Sequence, residues 1–172
     1  MRPDETEYTS WAKPYVDAVE GSDLLAVLPR YTREFLALAE GLDGDFSYAP
    51  GKWTVKEVVG HVTDTERIFA YRLLCVARRD QTPFPGFEQD DYLAFSRFND
   101  RTLGDLLAEF GAVRQASLLL IRGLPGDCWT RRGTVSGCSV TPRGLAFQLA
   151  GHERHHYRIL CDKYAAGLSR KP

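Results

Sequence analysis

The sequence lacks the features that would assign it to several large classes of protein. Its formal net charge is -1 with 26% charged residues, so it has no excess of basic charge for nucleic acid or anionic lipid. No apolar run approaches the roughly 20 residues of a membrane-spanning helix, and the N-terminal MRPDETEYTS is unlike a signal peptide. We therefore expect a soluble, cytoplasmic protein that binds neither nucleic acid nor membranes.

Cysteine and histidine are both scarce. The four cysteines are widely spaced and form no CxxC pair, so they are expected to be reduced thiols rather than a disulfide framework. Only four histidines are present. At 172 residues the chain is long enough for one substantial core, and nothing in its composition suggests a second. We therefore expect a single domain over residues 1–172.

The pattern of apolar and capping residues predicts four long helices, at about 22–42, 54–79, 102–124 and 141–166. Pro29 requires a kink or a break in the first of these helices. Thr54 with Glu57, and Thr102 with Asp105, are predicted capping boxes at the starts of the second and third.

The segments that connect these helices are long. Residues 1–20 are predicted to be an extended lead-in packed on the domain. Residues 80–101 carry prolines, glycine and many aromatic residues, which indicates a break in helical order. Residues 127–140 suggest a short hairpin or an irregular crossover. The predicted fold is therefore an all-α four-helix bundle with long crossover connections.

The segment GHERHHYRIL, residues 151–160, places histidine on the buried face of the last predicted helix. The residues predicted on this face are separated by 4, 3, 4 and 3 positions; they are Leu145, Leu149, His152, His156 and Ile159. A neutral buried imidazole must satisfy two ring nitrogens, and a metal on one with a hydrogen bond on the other does so. The pattern predicts a metal in the bundle core.

A third metal ligand has two candidates, His155 and His61. His155 points about 100° away from His156 on the helix, which assigns it to the rim. His61 lies seven residues after the N-cap of its helix and His152 eleven after its own, so both are near mid-helix. His61 is thus the better candidate. The alternative is that each histidine is an ordinary core residue.

Three imidazoles leave coordination positions open, which is typical of a catalytic site. Zinc is the expected metal and nickel the alternative. Glu57 and Asp64 lie one turn on either side of His61, and either can orient an imidazole or act as a base. The alternative is that both are exposed helix charges, with Glu57 used in the capping box. Asp64 is therefore preferred as the catalytic candidate.

The sequences KWTVKEVVGHVTDTERIFAYR (52–72), TPFPGFEQDDY (82–92) and GHERHHYRIL together resemble the DinB-like superfamily of four-helix-bundle metal proteins. Its relatives include bacillithiol S-transferases and mycothiol-dependent isomerases. In that family one histidine of the second helix and two of an HxxxH in the last helix hold the metal. The resemblance implies that His61, His152 and His156 are the ligands, and that the protein is a homodimer.

The resemblance implies a metal-dependent transferase that adds a low-molecular-weight thiol, of the bacillithiol type, to small electrophilic substrates. Arg72 is expected to pair with the thiol's carboxylates, unless it forms a helical salt bridge with Glu66. Trp53, Phe87 and Tyr92 are expected to line the pocket, the alternative being that they cap the bundle. A metal-dependent hydrolase of a small ester or amide, and a non-catalytic bundle that binds metal or ligand, remain alternatives.

Overall fold

The long helices of the sequence prediction are present. The computed structural model describes residues 2–167. In chain order its elements are α1 (Lys13–Ala18), α2 (Leu24–Glu40), α3 (Val55–Ala77), α4 (Gln89–Ala94), α5 (Leu103–Arg122), β1 (Gly133–Val135), β2 (Cys138–Val140) and α6 (Pro142–Lys163). Within this described range, no helix is both long and apolar enough to cross a membrane.

The four long helices form a bundle with crossed connections. α3 packs against α5 and α6, and α2 packs against the same two helices. α2 and α3 follow one another in the chain but lie at opposite corners of the bundle, as do α5 and α6. The bundle is therefore not a simple up-and-down arrangement, and the predicted fold class is confirmed.

The predicted capping residues begin the helices. The Thr54 hydroxyl accepts a hydrogen bond from the Glu57 N–H at 3.1 Å, and the Glu57 carboxylate accepts one from the Thr54 N–H at 2.7 Å. At α5 the Thr102 hydroxyl accepts from the Asp105 N–H at 3.1 Å. The Asp105 carboxylate instead accepts from Arg101 at 2.6 Å. The first capping box is thus complete, and the second is only half formed.

Of the two alternatives predicted at Pro29, a kink or a break, the break does not occur. α2 runs from Leu24 to Glu40 with Pro29 inside it. The carbonyl that loses its N–H partner belongs to Leu25, four residues earlier. Leu25 is exposed in the first turn of the helix, where water can replace the lost donor. The helix therefore continues through the proline.

Residues 80–101 contain helical turns that the sequence analysis did not predict. They form α4 and a 3₁₀ turn at Phe98–Asp100. A six-residue helix is too short to show a hydrophobic period. Asp90 and Asp91 in its first turn favour it electrostatically. The prediction that this crossing breaks helical order was therefore only partly correct.

The N-terminal segment is not extended, although it packs on the domain as predicted. It contains 3₁₀ turns at Glu5–Glu7 and Ser10–Ala12, followed by α1, which packs against α6. Two glycines of α6 allow this approach: a Cβ on Gly144 would lie 2.1 Å from the Glu7 carbonyl oxygen, and one on Gly151 would lie 1.8 Å from that of Tyr15. The segment is held close to the middle of α6.

Residues 127–140 contain the hairpin, one of the two predicted alternatives. Ser136 and Gly137 form its turn with φ of 52° and 74°, the left-handed values that a two-residue hairpin loop requires. Phe84 joins the hairpin, because its N–H donates to Thr134 and its carbonyl accepts from Ser136, at 2.9 Å and 2.8 Å. The two long crossings are thus tied to each other.

The core consists of two apolar clusters. One contains Phe69, Leu73 and Leu149, and the other contains Val62 and Leu160. In α3, α5 and α6, buried charged residues lie in the sequence between the members of the two clusters; these are Glu66, Arg114 and Glu153. A buried polar layer therefore crosses the middle of the bundle.

Candidate metal centre

Three histidines from two helices converge beside the polar layer. α3 carries His61, and α6 carries His152 and His156 one helical turn apart. The Nε2 atoms of His61 and His152 lie 3.1 Å apart. The ring centre of His156 lies 4.8 Å from that of His61 and 4.6 Å from that of His152. The packing of α3 on α6 therefore brings together the three residues that the sequence analysis selected.

All three imidazoles are buried, with 5–7% of each residue exposed. Burial lowers the pKa of His61 to about 4, and it lowers those of His152 and His156 well below the ordinary value, with further repulsion between the rings. The three rings are therefore neutral at pH 7. A neutral imidazole has a free lone pair, which is the form that binds metal.

The donor set fits a divalent cation. One nitrogen from each histidine can be chosen so that all three lie within 4.8 Å of one another. A zinc–nitrogen distance of about 2.0–2.1 Å in tetrahedral geometry separates two ligand nitrogens by roughly 3.3 Å, close to the 3.1 Å between His61 and His152. The buried Nδ1 of His156 has no hydrogen-bond partner in the described part of the chain. These residues can hold a metal.

Aromatic rings surround the three histidines. The Trp53 ring centre is 4.8 Å from that of His61, and its carbonyl accepts a hydrogen bond from the Tyr164 hydroxyl at 2.7 Å. Phe69 and Tyr15 pack edge-on against His152, with ring centres at 5.7 Å and 5.5 Å. These rings limit the access of water to the imidazoles.

Two cavities of 390 Å³ each reach the histidines, a size typical of small-molecule sites. The first cavity is lined by His156, with Trp53 and His155 beside it. The second cavity is lined by His61 and His152. Tyr15 lines both, so the two cavities adjoin at this residue. A larger cavity of 490 Å³ elsewhere in the bundle contains none of the histidines.

The structure brings three of the four predicted pocket residues to these cavities. Trp53 lines the first cavity, and Arg72 and Phe87 line the second. Tyr92 packs on the Phe87 ring at 5.2 Å between centres, but it lines a separate surface depression and is half exposed. His155 is half-buried at the edge of the first cavity, which agrees with a rim position.

The two candidate carboxylates lie outside the described lining of both cavities. Asp64 pairs with Arg67 at 3.2 Å, and burial raises its pKa although Arg67 opposes the shift. Glu57 accepts hydrogen bonds from the Thr54 backbone and from Asn99. In this arrangement Asp64 makes a helix-surface ion pair and Glu57 completes the capping box.

The sequence analysis did not identify a buried ion triad next to the histidines. The guanidinium of Arg114 donates to both carboxylate oxygens of Glu66, at 2.8 Å and 2.9 Å, and also to Glu153. It reaches the Thr32 hydroxyl at 3.2 Å. Burial raises the pKa of Glu153 to about 7 despite the neighbouring Arg114. One side chain thus connects all four long helices, beside His152.

Some of the missed residues had a signal in the sequence. Arg114 lies four residues after Phe110, on the buried stripe of α5, and Thr65 lies four residues after His61. Helical periodicity places both on an inward face. Tyr15 had no such signal, because its position depends on the approach of a distant segment to Gly151.

Comparison with known proteins agrees with this fold. The protein is a crossed four-helix bundle with three inward histidines, and residues 25–160 match the DinB superfamily. The chain belongs to the DinB superfamily. The structure is similar to that of YfiT from Bacillus subtilis, which is described as a probable metal-dependent hydrolase with an unusual four-helix bundle topology. The TM-score is 0.69 and the sequence identity is 15%, and the match covers 94% of this chain and 90% of YfiT. No match was found among curated proteins.

Proposed function

We propose that the protein is a metal-dependent enzyme that hydrolyses an ester or amide of a small molecule. The observation that supports this proposal is the convergence of three neutral imidazoles where two cavities meet. His61, His152 and His156 would hold a divalent cation, which would supply Lewis-acid polarisation of a substrate carbonyl and activation of water. The description of YfiT as a probable metal-dependent hydrolase supports the same reaction.

The ligand set supports a catalytic rather than a closed site. Among the described residues, no cysteine, aspartate or glutamate joins the three histidines as a fourth ligand. Coordination positions then stay available to water and substrate. This argues against the non-catalytic alternative, in which a side chain would close the site.

Tyr15 and His155 are the residues best placed to assist. Burial raises the pKa of the Tyr15 phenol, which keeps it protonated and able to donate a hydrogen bond to a developing oxyanion. Burial lowers the pKa of His155, which keeps it neutral and able to accept a proton. Hydrolysis adds water across the C–O or C–N bond, so the proton that leaves the water must reach the departing alcohol or amine.

Thiol transfer is the second candidate function, favoured by the presence of two cavities that adjoin at Tyr15. A reaction of two substrates needs separate space for a thiol and an electrophile. The thiol sulfur would form the new bond to carbon, and the leaving group would depart with the thiol's proton. Thiol deprotonation by a metal needs no carboxylate base, and the described lining of the first cavity contains only the exposed Asp90 as a carboxylate.

One assay separates the two reactions. Zinc- and nickel-loaded protein is incubated with chromogenic esters and amides, and separately with electrophiles plus bacillithiol, mycothiol or glutathione. Turnover of esters or amides without thiol supports hydrolysis, and conjugation only with thiol supports transfer. Loss of turnover in His152→Ala shows that the metal site is responsible. If the metal-loaded protein turns over neither the esters and amides nor the electrophiles with thiol, both proposed reactions are contradicted.

A matched variant tests the role of Tyr15. Tyr15→Phe should lower kcat by roughly a hundredfold to a thousandfold, the range for loss of an oxyanion donor, with unchanged metal content. Tyr8→Phe, also in the N-terminal segment but absent from the described lining of both cavities, is the control. An unchanged kcat in Tyr15→Phe would remove the phenol from the reaction.

A further inference from the structure

The second cavity contains an arginine that makes no ion pair with any described carboxylate. Only 5% of Arg72 is exposed. Its guanidinium donates one hydrogen bond, from Nη2 to the Pro85 carbonyl at 2.7 Å, and no carboxylate in the described part of the chain forms an ion pair with it. A guanidinium has five N–H donors, and a buried charge is normally paired. Arg72 therefore has donors that remain available to a ligand.

Two aromatic rings fix the position of this guanidinium. Its carbon atom lies 5.6 Å from the ring centre of Phe87 and 6.0 Å from that of Phe69. Cation–π contacts and the bond to Pro85 hold the group without neutralising it. The Phe69 ring also packs against His152, so a single ring lies between the guanidinium and the histidine cluster.

A second polar group without a partner lines the same cavity. Thr65 is 1% exposed, and its hydroxyl has no hydrogen-bond partner in the described part of the chain. It lies one helical turn beyond His61, in a column on α3 that continues through Phe69 to Arg72. An unpaired buried hydroxyl is destabilising, and a ligand that accepts its hydrogen bond would remove this cost.

We propose that Thr65 and Arg72 form a subsite for a carboxylate on the substrate, whose reactive carbonyl lies at the three histidines. This inference rests on the proposed function and adds the class of substrate: an ester or amide that carries a carboxylate at its far end. Along α3, Thr65 lies about 6 Å and Arg72 about 16 Å beyond His61, and the arginine side chain leans back toward Thr65. The carboxylate therefore lies between these two levels, so the substrate carries it several bonds away from the reactive carbonyl.

Two other charged residues, Glu88 and Asp90, line the second cavity. Both are exposed, so solvent screens their charge. They are expected to disfavour ligands with several negative charges more than a ligand with one. The subsite is thus better suited to a monocarboxylate than to a polyphosphate.

The test compares 4-phenylbutyrate with the neutral alcohol 4-phenylbutan-1-ol, which has no ester or amide bond, by calorimetric titration. Charge-assisted hydrogen bonds contribute about 1.5–3 kcal/mol, so wild type should bind the acid at least about tenfold more tightly than the alcohol. Arg72→Gln should remove this preference, and Arg72→Lys should keep part of it. Arg33→Gln, which changes charge equally at an exposed position of α2, should keep all of it.

Repeating the titration after chelation of the metal separates this inference from the proposed function. The acid preference should persist without metal, and metal content should be unchanged in Arg72→Gln. A preference that disappears with the metal would assign the carboxylate to the metal and overturn the subsite, leaving the hydrolase proposal intact. Equal binding of acid and alcohol, no binding of the acid, or an unaltered preference in a folded Arg72→Gln would also overturn the subsite.

Discussion

Arg114 binds both carboxylate oxygens of Glu66, with Nε and Nη2 at 2.8 Å and 2.9 Å. It also binds Glu153, the neighbour of His152 in sequence. All three side chains are at most 2% exposed. The packing of α3 against α5 and α6 is therefore linked to a buried charge network beside the histidines.

Arg114→Met should lower the free energy of unfolding by about 3–5 kcal/mol, because it leaves two buried carboxylates without a counter-charge. Chemical denaturation measures this change. Arg67→Met is the control, since Arg67 is half exposed in its ion pairs with Asp64 and Glu109 and should contribute at most about 1 kcal/mol. Similar losses in the two variants would contradict the structural role of the triad.

Gly151→Ala should displace α1 and with it Tyr15, because the new Cβ would lie 1.8 Å from the Tyr15 carbonyl oxygen. We expect lower stability and lower turnover, with increased proteolysis of the N-terminal segment. Gly104→Ala is the matched control, because a Cβ there meets nothing within 4 Å, and alanine in a helix stabilises by up to about 1 kcal/mol. Equal stability, turnover and proteolysis of the two variants would contradict the close approach of the Tyr15 backbone to Gly151.

Glu7 should make stability depend on pH in the acid range. Burial alone would raise its pKa, but hydrogen bonds from Arg143, Asp4 and Thr141 lower it from 4.5 to about 2. The folded state therefore favours the carboxylate, and its contribution is present above pH 4.5 and lost as the pH falls toward 2. The difference in unfolding free energy between wild type and Glu7→Gln should shrink over this range.

The exposed Glu40→Gln makes the same charge change on α2 and should stay within about 0.5 kcal/mol of wild type. A Glu7→Gln difference that stayed constant from pH 6 to pH 2 would show that Glu7 does not anchor the N-terminal segment in the way described.

Two buried threonines of α3 should respond oppositely to the same substitution. The Thr63 hydroxyl donates to the Val59 carbonyl at 2.8 Å, whereas the Thr65 hydroxyl has no partner among the described residues. Thr65→Val should therefore raise the free energy of unfolding by about 1–3 kcal/mol, and Thr63→Val should lower it by about 1 kcal/mol. The stabilised Thr65→Val should also bind 4-phenylbutyrate more weakly. Destabilisation by Thr65→Val would show that its hydroxyl is satisfied.

The sequence was sufficient to predict the four helices and the inward positions of His61, His152 and His156, because both depend on local periodicity. Thr54 and Glu57 signal the start of α3, and the 4-3 spacing places His152 and His156 on one face. The path of the N-terminal segment could not be predicted, because it depends on contacts between Tyr15 and residues more than a hundred positions away. The burial of Arg114 was not predicted, because arginine is usually exposed.

The metal content of purified protein tests the central claim most directly. Elemental analysis should find about one divalent ion per chain, and His61→Ala, His152→Ala and His156→Ala should each lose it. His155→Ala is the matched control and should retain it, because His155 lies at the rim of the first cavity. A wild-type chain that binds no divalent ion, or three folded variants that keep wild-type content, would contradict the metal centre.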